Sequence, residues 1–136
     1  MASRARILVA DVPGMELPLR AELAAHDVIF VSSFDAAVQE LNRETYELVV
    51  VGLHFDDSRM LNLVLAIRAL AEYRDIPVVC VRGTPTRLSE RARKGLEGTL
   101  RTLGCDAFIE LELDPQVFAQ LSKQIAAPPD PLIRGS

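Results

Sequence analysis

The sequence predicts an α/β fold, a three-layer doubly wound (βα)5 domain in which a parallel five-stranded sheet lies between two layers of helices. Two observations predict it. Five short apolar runs rich in valine and isoleucine are nearly uninterrupted by polar residues, as in strands buried on both faces. Their starts lie about twenty to thirty residues apart, a separation that suits a crossover helix and is too long for a hairpin.

The predicted strands share this continuous apolar pattern and occupy residues 7–10, 28–31, 48–51, 78–81 and 107–109. Right-handed crossovers between parallel strands place helices on both faces of the sheet. The strand order that suits five such units is 2-1-3-4-5, which forms a crevice at the carboxyl ends of the first and third strands. Asp11 and Gly52 stand at those two ends.

The segments between the strands predict helices with recognisable starts. The first covers residues 17–24, where Pro18 is tolerated in the first turn. Ser33 is a candidate N-cap for the second helix, and Ser58 for a third helix over residues 60–71.

The later elements follow the same pattern of start and stop signals. A long fourth helix begins at Thr86 and ends at Leu103, because Gly104 follows the last apolar position. Asp114 and a following proline begin a fifth helix over residues 116–126. We therefore expect one domain over residues 1–127 and a disordered C-terminal tail over residues 128–136.

Composition excludes several classes of protein. The chain has 136 residues and a net charge of −4, which argues against nucleic acid or an anionic membrane as a partner. Its two cysteines are too few for a disulfide framework, and reduced thiols indicate a cytoplasmic protein. No apolar stretch is long enough to cross a membrane.

The sequence offers no catalytic motif. The two histidines lack a metal-ligand spacing, and there is no glycine-rich phosphate loop and no nucleophile elbow. We therefore expect a protein that is not an enzyme and that holds neither a metal nor a cofactor.

Four short motifs occur in an order and spacing typical of one known family. They are the segment Glu47-Leu48-Val49-Val50-Val51-Gly52, then Leu61 with the pair Ile67-Arg68, then Ile76-Pro77-Val78, and finally Gly104-Cys105-Asp106. Through these motifs, residues 5–126 resemble the response regulator receiver domain family, whose fold is flavodoxin-like or CheY-like. The resemblance implies a role in two-component signalling.

The chain departs from the family at its chemical positions. The resemblance implies that the phosphate-accepting aspartate stands where this chain has Gly52, and that the acidic pair after the first strand is here Asp11 and Val12. The family's hydroxyl after the fourth strand is Arg82, and its lysine after the fifth strand is Leu111. These residues form a degenerate phosphorylation pocket, so the chain is predicted to be a pseudo-receiver.

The replacements are chemically consistent with one another. Mg²⁺ requires several oxygen ligands, and the acceptor carboxylate of a receiver is itself the nucleophile. A glycine at position 52 removes both functions and is expected to leave a void at the strand end. Arg82 is a candidate to fill that void and pair with Asp11, and the alternative is an exposed loop arginine.

Two other functions remain open from the sequence. One is a phospho-accepting response regulator with an atypical acceptor at Asp56 or at Asp11. The other is a small flavodoxin-like domain whose emptied pocket binds a ligand.

The fourth helix offers a candidate interaction surface. Basic residues lie opposite its apolar stripe, beside acidic residues of the fifth strand and its exit, and the surface comprises Arg87, Arg91, Lys94, Arg101 and Glu110. Signalling proteins are the expected partners, and two-fold contact between the helix and the strand would form a homodimer. A charged face is equally what any solvated helix shows.

Overall fold

The fold is seen in a computed structural model that describes residues 5–83 and 89–110. Its five strands are β1 (Arg6–Ala10), β2 (Asp27–Val31), β3 (Leu48–Gly52), β4 (Val78–Arg82) and β5 (Ala107–Glu110). All pair in parallel, in the order β2-β1-β3-β4-β5. The predicted fold class and strand order are confirmed, and each strand end lies within one residue of its predicted position.

Four helices connect these strands. They are α1 (Glu16–Glu22), α2 (Phe34–Arg43), α3 (Met60–Ala69) and α4 (Glu90–Leu103). Single helical turns over Pro13–Met15 and Ala71–Tyr73, and an irregular turn over Phe55–Ser58, complete the connections. The predicted fifth helix and C-terminal tail lie outside the described residues, as do Leu111 and Arg87.

The helix boundaries confirm two predicted caps and correct two others. Ser33 caps α2 by accepting a hydrogen bond from Ala36 N at 3.2 Å, and Gly104 ends α4 with a φ of 114°. The cap of α3 is Arg59, which makes no side-chain capping bond, so the prediction for Ser58 was wrong. The predicted start of α4 was also early, because Ser89 is extended and its hydroxyl accepts from Ala92 N at 3.1 Å.

The sheet is covered on both faces. Alternate strand residues, among them Ala10, Val51 and Cys80, pack with α2, α3 and α4, while Val9 and Val81 pack on the side of α1. Strands buried on both faces explain why each apolar run is continuous. Burial of the Cys80 thiol raises its pKa far above the usual range, as expected for a cysteine that acts as a small core residue.

Arg68 joins α3 to the start of β4 and the end of α4. Its guanidinium donates to Gly104 O at 2.7 and 2.9 Å, to Ile76 O at 2.7 Å and to Tyr73 O at 2.8 Å. It also pairs with Asp106 Oδ2 at 2.9 Å. We call Arg68, Gly104, Asp106 and their backbone partners the Arg68 junction.

The Arg68 junction gives the family motifs a physical reason. Asp106 Oδ2 also accepts from Val78 N at 2.8 Å, so it connects the start of β4 to the turn before β5. A Cβ at Gly104 would lie 2.9 Å from Arg68 Cγ, which leaves little room for any other residue. Residues of three of the motifs shared with receiver domains therefore meet in one hydrogen-bonded network, which connects α3, α4, β4 and β5.

Candidate functional site

Asp11 and Gly52 lie side by side at the carboxyl edge of the sheet. Ala10 pairs with Val51 in the parallel ladder, so the next residue of each strand is also adjacent. The Asp11 side chain is buried, with 3% of the residue exposed, and its Oδ1 accepts a hydrogen bond from Val12 N at 2.7 Å. We call Asp11, Val12 and Gly52 the Asp11 corner.

The Asp11 carboxylate occupies the volume that a side chain at position 52 would require. A Cβ added to Gly52 would overlap Cγ and both carboxylate oxygens of Asp11. The expected void at the end of β3 is therefore absent. The sequence could not reveal this, because the direction of the Asp11 side chain depends on its hydrogen bond to Val12.

Burial controls the ionisation of Asp11. Desolvation raises the pKa of the carboxyl group from 3.8 to about 6, because the charged form loses water that the protein replaces only in part. The hydrogen bond from Val12 and the nearby His54 act in the opposite direction and lower the pKa. His54, an isolated loop histidine in the sequence, thus lies at the corner although no motif marked it.

A small cavity of about 90 Å³ adjoins the corner. Its walls are mostly apolar and comprise Asp11, Val12, Met15, Leu53, His54, Val81 and Gly83. The end of the Met15 side chain lies where a side chain at Gly83 would project, so methionine closes the cavity on one side.

Arg82 does not fill the corner. The hydrogen bond of Asp11 comes from Val12 and its electrostatic partner is His54, and Arg82 is neither. Arg82 pairs in register with Glu110, two positions after Cys80, so it projects toward the α2, α3 and α4 side of the sheet. The hypothesis of a pair between Arg82 and Asp11 was wrong because the two side chains leave opposite faces.

Asp56 has a structural partner away from the corner. Its Oδ2 accepts a hydrogen bond from Phe34 N at 2.7 Å, at the start of α2, and the residue adopts a left-handed φ of 40°. Asp57 follows with a φ of 53°. The pair forms a tight turn that braces the loop after β3 against α2, and Asp56 does not line the cavity beside Asp11.

The described residues do not fit a receiver-type magnesium site. Within residues 5–83 and 89–110, no three histidine, cysteine, aspartate or glutamate side chains are grouped so that they could hold a metal ion. Asp11 supplies a single carboxylate, and one of its oxygens is already bonded to Val12 N. A hard cation with near-octahedral geometry would need further oxygen ligands.

The candidate interaction surface is only partly as predicted. Arg91, Lys94 and Arg101 are exposed on α4, and Lys94 pairs with Glu90 at 3.7 Å. Glu110 is buried, with 3% of its surface exposed, so its assignment to this surface was wrong. It projects on the same sheet face as Phe108, toward α4, because the two residues are two positions apart on β5.

Comparisons with known proteins agree with this topology. No known family profile and no curated protein matches the chain. Among solved structures, a sensor protein from Polaromonas sp. JS666 is 27% identical with a TM-score of 0.72, over 90% of this chain and 95% of that one. A response regulator from Burkholderia multivorans is 24% identical with a TM-score of 0.66, over 94% and 98%.

A third solved structure is the receiver domain of a sensor histidine kinase from Pseudomonas aeruginosa PAO1, which has magnesium coordinated in its active site cleft. It is 17% identical with a TM-score of 0.69, over 92% of this chain and 100% of that one. Strand order and these likenesses define the class: the chain has the CheY-like fold of response regulator receiver domains. The predicted family resemblance is confirmed. No helix in the described part of the chain is both long and apolar enough to span a membrane.

Proposed function

We propose that this chain is a pseudo-receiver, a protein–protein interaction module of bacterial-type two-component or phosphorelay signalling that works without phosphorylation and is not an enzyme. The observation that carries the proposal is the overlap between Asp11 and any side chain at Gly52. The corner that would project an acceptor carboxylate is occupied by Asp11, which supplies the one carboxylate among the described residues that line the pocket.

This arrangement removes the chemistry of phosphoryl transfer at two points. An acceptor must present a carboxylate oxygen to the incoming phosphorus, with a metal to neutralise the developing charge. Asp11 is buried and bonded to its own backbone neighbour, and no other carboxylate of the described residues lines the cavity beside it. The Pseudomonas receiver domain coordinates magnesium in its cleft, whereas the described residues of this chain contain no group of three side chains that could hold a metal ion.

The alternative functions have less support. Asp56 is occupied as a backbone acceptor at the start of α2, which draws it away from the cavity. A ligand pocket for a drug-sized molecule has roughly 300–1,000 Å³. The cavity beside Asp11, as bounded by described residues, has about 90 Å³. A flavodoxin-like cofactor is too large for it.

A protein partner other than a second copy is favoured. Of the acidic residues that a homodimer through α4 and β5 would use, Glu110 is buried and the exposed Asp106 is already paired with Arg68, while Glu112 and Asp114 lie outside the described residues. The chain's two cysteines are free and buried, which is compatible with the reducing cytoplasm as its compartment.

Incubation with Mg²⁺ and acetyl phosphate tests the proposal. Intact mass spectrometry is expected to show no gain of a phosphoryl group, while an active receiver domain treated in parallel gains one. A base-labile gain that disappears in Asp11→Asn or in Asp56→Asn would overturn the proposal and identify the acceptor.

A further inference from the structure

An apolar groove lies between α3 and α4. Leu61 and Leu65, one turn apart on α3, are 38% and 53% exposed. A depression of about 280 Å³ beside them is lined by Leu53, Met60, Leu61, Leu96, Thr99 and Leu100, together with His54. We call Leu61, Leu65, Leu96 and Thr99 the α3–α4 groove. Two exposed leucines at i and i+4 beside a depression form a docking surface of the kind that accepts a helix.

The α4 wall of the groove allows close approach. Thr99 also borders a second, shallower depression that runs along α4 past Gly95, Gly98 and Thr102. A Cβ added at either glycine would meet no atom within 4 Å, so the outer face of α4 is flat there. Glycine inside a helix is unfavourable for the free chain, and nothing in the described residues requires it at these positions.

The charge beside the groove is positive, although the whole chain carries −4. Arg91 and Lys94 lie on the outer face of α4, and Arg91 forms no ion pair with another described residue. α3 contains no acidic residue, and exposed Asp57 and Arg59, which carry opposite charges, precede it. The acidic residues of α4 are Glu90, which pairs with Lys94, and Glu97, which pairs with Arg93, so Arg91 and Arg101 leave α4 with a net positive charge.

This charge distribution selects the occupant. A second copy bound two-fold through the same surface would bring the basic residues of both copies to one interface, and like charges at an interface are repulsive. We propose that the α3–α4 groove binds an acidic amphipathic helix of a partner protein, with its apolar face on Leu61 and Leu65 and its carboxylates toward Arg91. The inference rests on the proposed function, for which it names the docking site.

Two synthetic amphipathic helices test this inference on the full chain. They share one pattern of leucines, and their polar positions are glutamate in one and lysine in the other. The acidic helix is expected to bind in fluorescence anisotropy and the basic helix is not. Leu65→Ser should weaken binding by about tenfold or more, because it removes one of the two exposed leucines that the apolar face of the helix would contact.

Matched variants distinguish binding at the groove from nonspecific binding. Leu17 on α1 is 81% exposed on the opposite side of the sheet, and Leu17→Ser should leave the affinity unchanged. Arg91→Glu should weaken binding several-fold, with a smaller salt dependence than the unaltered chain shows. Both substituted positions are exposed, so circular dichroism should show unchanged folding.

Several results would overturn the inference. They are failure of the acidic helix to bind, equal binding of both helices, insensitivity to Leu65→Ser, Leu65-dependent binding to vesicles of anionic lipid, and a self-associated chain that Leu65→Ser dissociates. Phosphoryl gain in the acetyl phosphate experiment would overturn the proposed function and leave the groove intact. Absence of that gain together with absence of peptide binding would refute the docking proposal and leave the proposed function intact.

Discussion

The amino and carboxyl ends of the parallel strands are built in opposite ways. At the start of β4, the Arg68 junction joins α3, α4 and β5 through a guanidinium that donates hydrogen bonds to four backbone carbonyls and one carboxylate at 2.7–3.2 Å. At the carboxyl edge, the Asp11 corner holds a buried carboxylate with one backbone hydrogen bond and a histidine nearby.

The difference separates scaffold from chemistry. The Arg68 junction contains motif residues that resemble receiver domains, and each of them has a structural partner. The Asp11 corner contains the residues that depart from the family's pattern, and there the Asp11 carboxylate fills the space beside Gly52. Different residues therefore support the scaffold and form the corner, so the corner can differ while the architecture stays the same.

The largest expected effect is at the Arg68 junction. Arg68→Ala should lower the free energy of unfolding by roughly 3 kcal/mol, because Asp106 and several carbonyls lose their shared donor. Urea unfolding measures this change. Lys94→Ala, which removes an exposed pair with Glu90, is the control and should change stability by less than about 0.5 kcal/mol. Equal effects of the two variants would contradict the conclusion that the Arg68 junction stabilises the scaffold.

Filling the Asp11 corner should have the next largest effect. Gly52→Ala should cost about 2 kcal/mol of unfolding free energy, because its Cβ overlaps the Asp11 carboxylate. In an Asp11→Ala background the same change should cost much less, which gives a double-mutant coupling above about 1 kcal/mol. Gly83→Ala meets the flexible end of Met15 and should be milder. Additive effects of the two corner substitutions would show that the overlap is absent in solution.

The pH dependence of stability should reveal the buried carboxyl group. The pKa of Asp11 is raised to about 6 in the folded chain from its ordinary value of 3.8, so the folded state binds the proton more tightly. Its contribution is fully present below pH 3.8 and is lost as the pH rises through 6, with a total on the order of 2 kcal/mol.

Asp11→Asn isolates this contribution. The variant should lack the decline between pH 4 and pH 7 that the unaltered chain shows in urea unfolding, whereas Asp75→Asn at an exposed site should keep it. Identical pH profiles for the Asp11 variant and the unaltered chain would mean that the carboxyl group is not desolvated.

The smallest effect is expected on α4. Gly98→Ala should raise the free energy of unfolding by roughly 0.5–1 kcal/mol, because the helical position is open and alanine favours the helix. Gly104→Ala should lower it, since the residue adopts a φ of 114° against the Arg68 side chain. Thermal unfolding of both variants compares them directly, and stabilisation by the Gly104 change would contradict the tight packing at the junction.

Patterns along the chain were sufficient for most of the fold. Continuous apolar runs located the strands, and Ser33 and Gly104 marked helix ends through chemistry that acts within a few residues. Ser58 matched the same pattern, but the prediction that it caps α3 was wrong, because Arg59 stands at the cap position. The start predicted at Thr86 was early, because the N-cap of α4 is Ser89.

The candidate site was harder to predict from the sequence than the fold. Gly52 identified the altered centre, but the side chain that fills its space belongs to Asp11, and that contact depends on a hydrogen bond and on strand register. Arg82 and Glu110 were assigned from their place in the sequence, and register decided which face each one uses. Arg68 was visible only as part of a motif, and its partners are separated from it by up to 38 residues.

The sequence by itself determined the order of strands and helices, their approximate ends and the absence of a carboxylate at position 52, because these depend on local composition and periodicity. Only the tertiary structure decided that Asp11 closes the corner, that Arg82 is directed elsewhere and that Arg68 joins distant segments. The physical reason is that desolvation and hydrogen bonding depend on which side chains meet across neighbouring strands, and that meeting requires the folded chain.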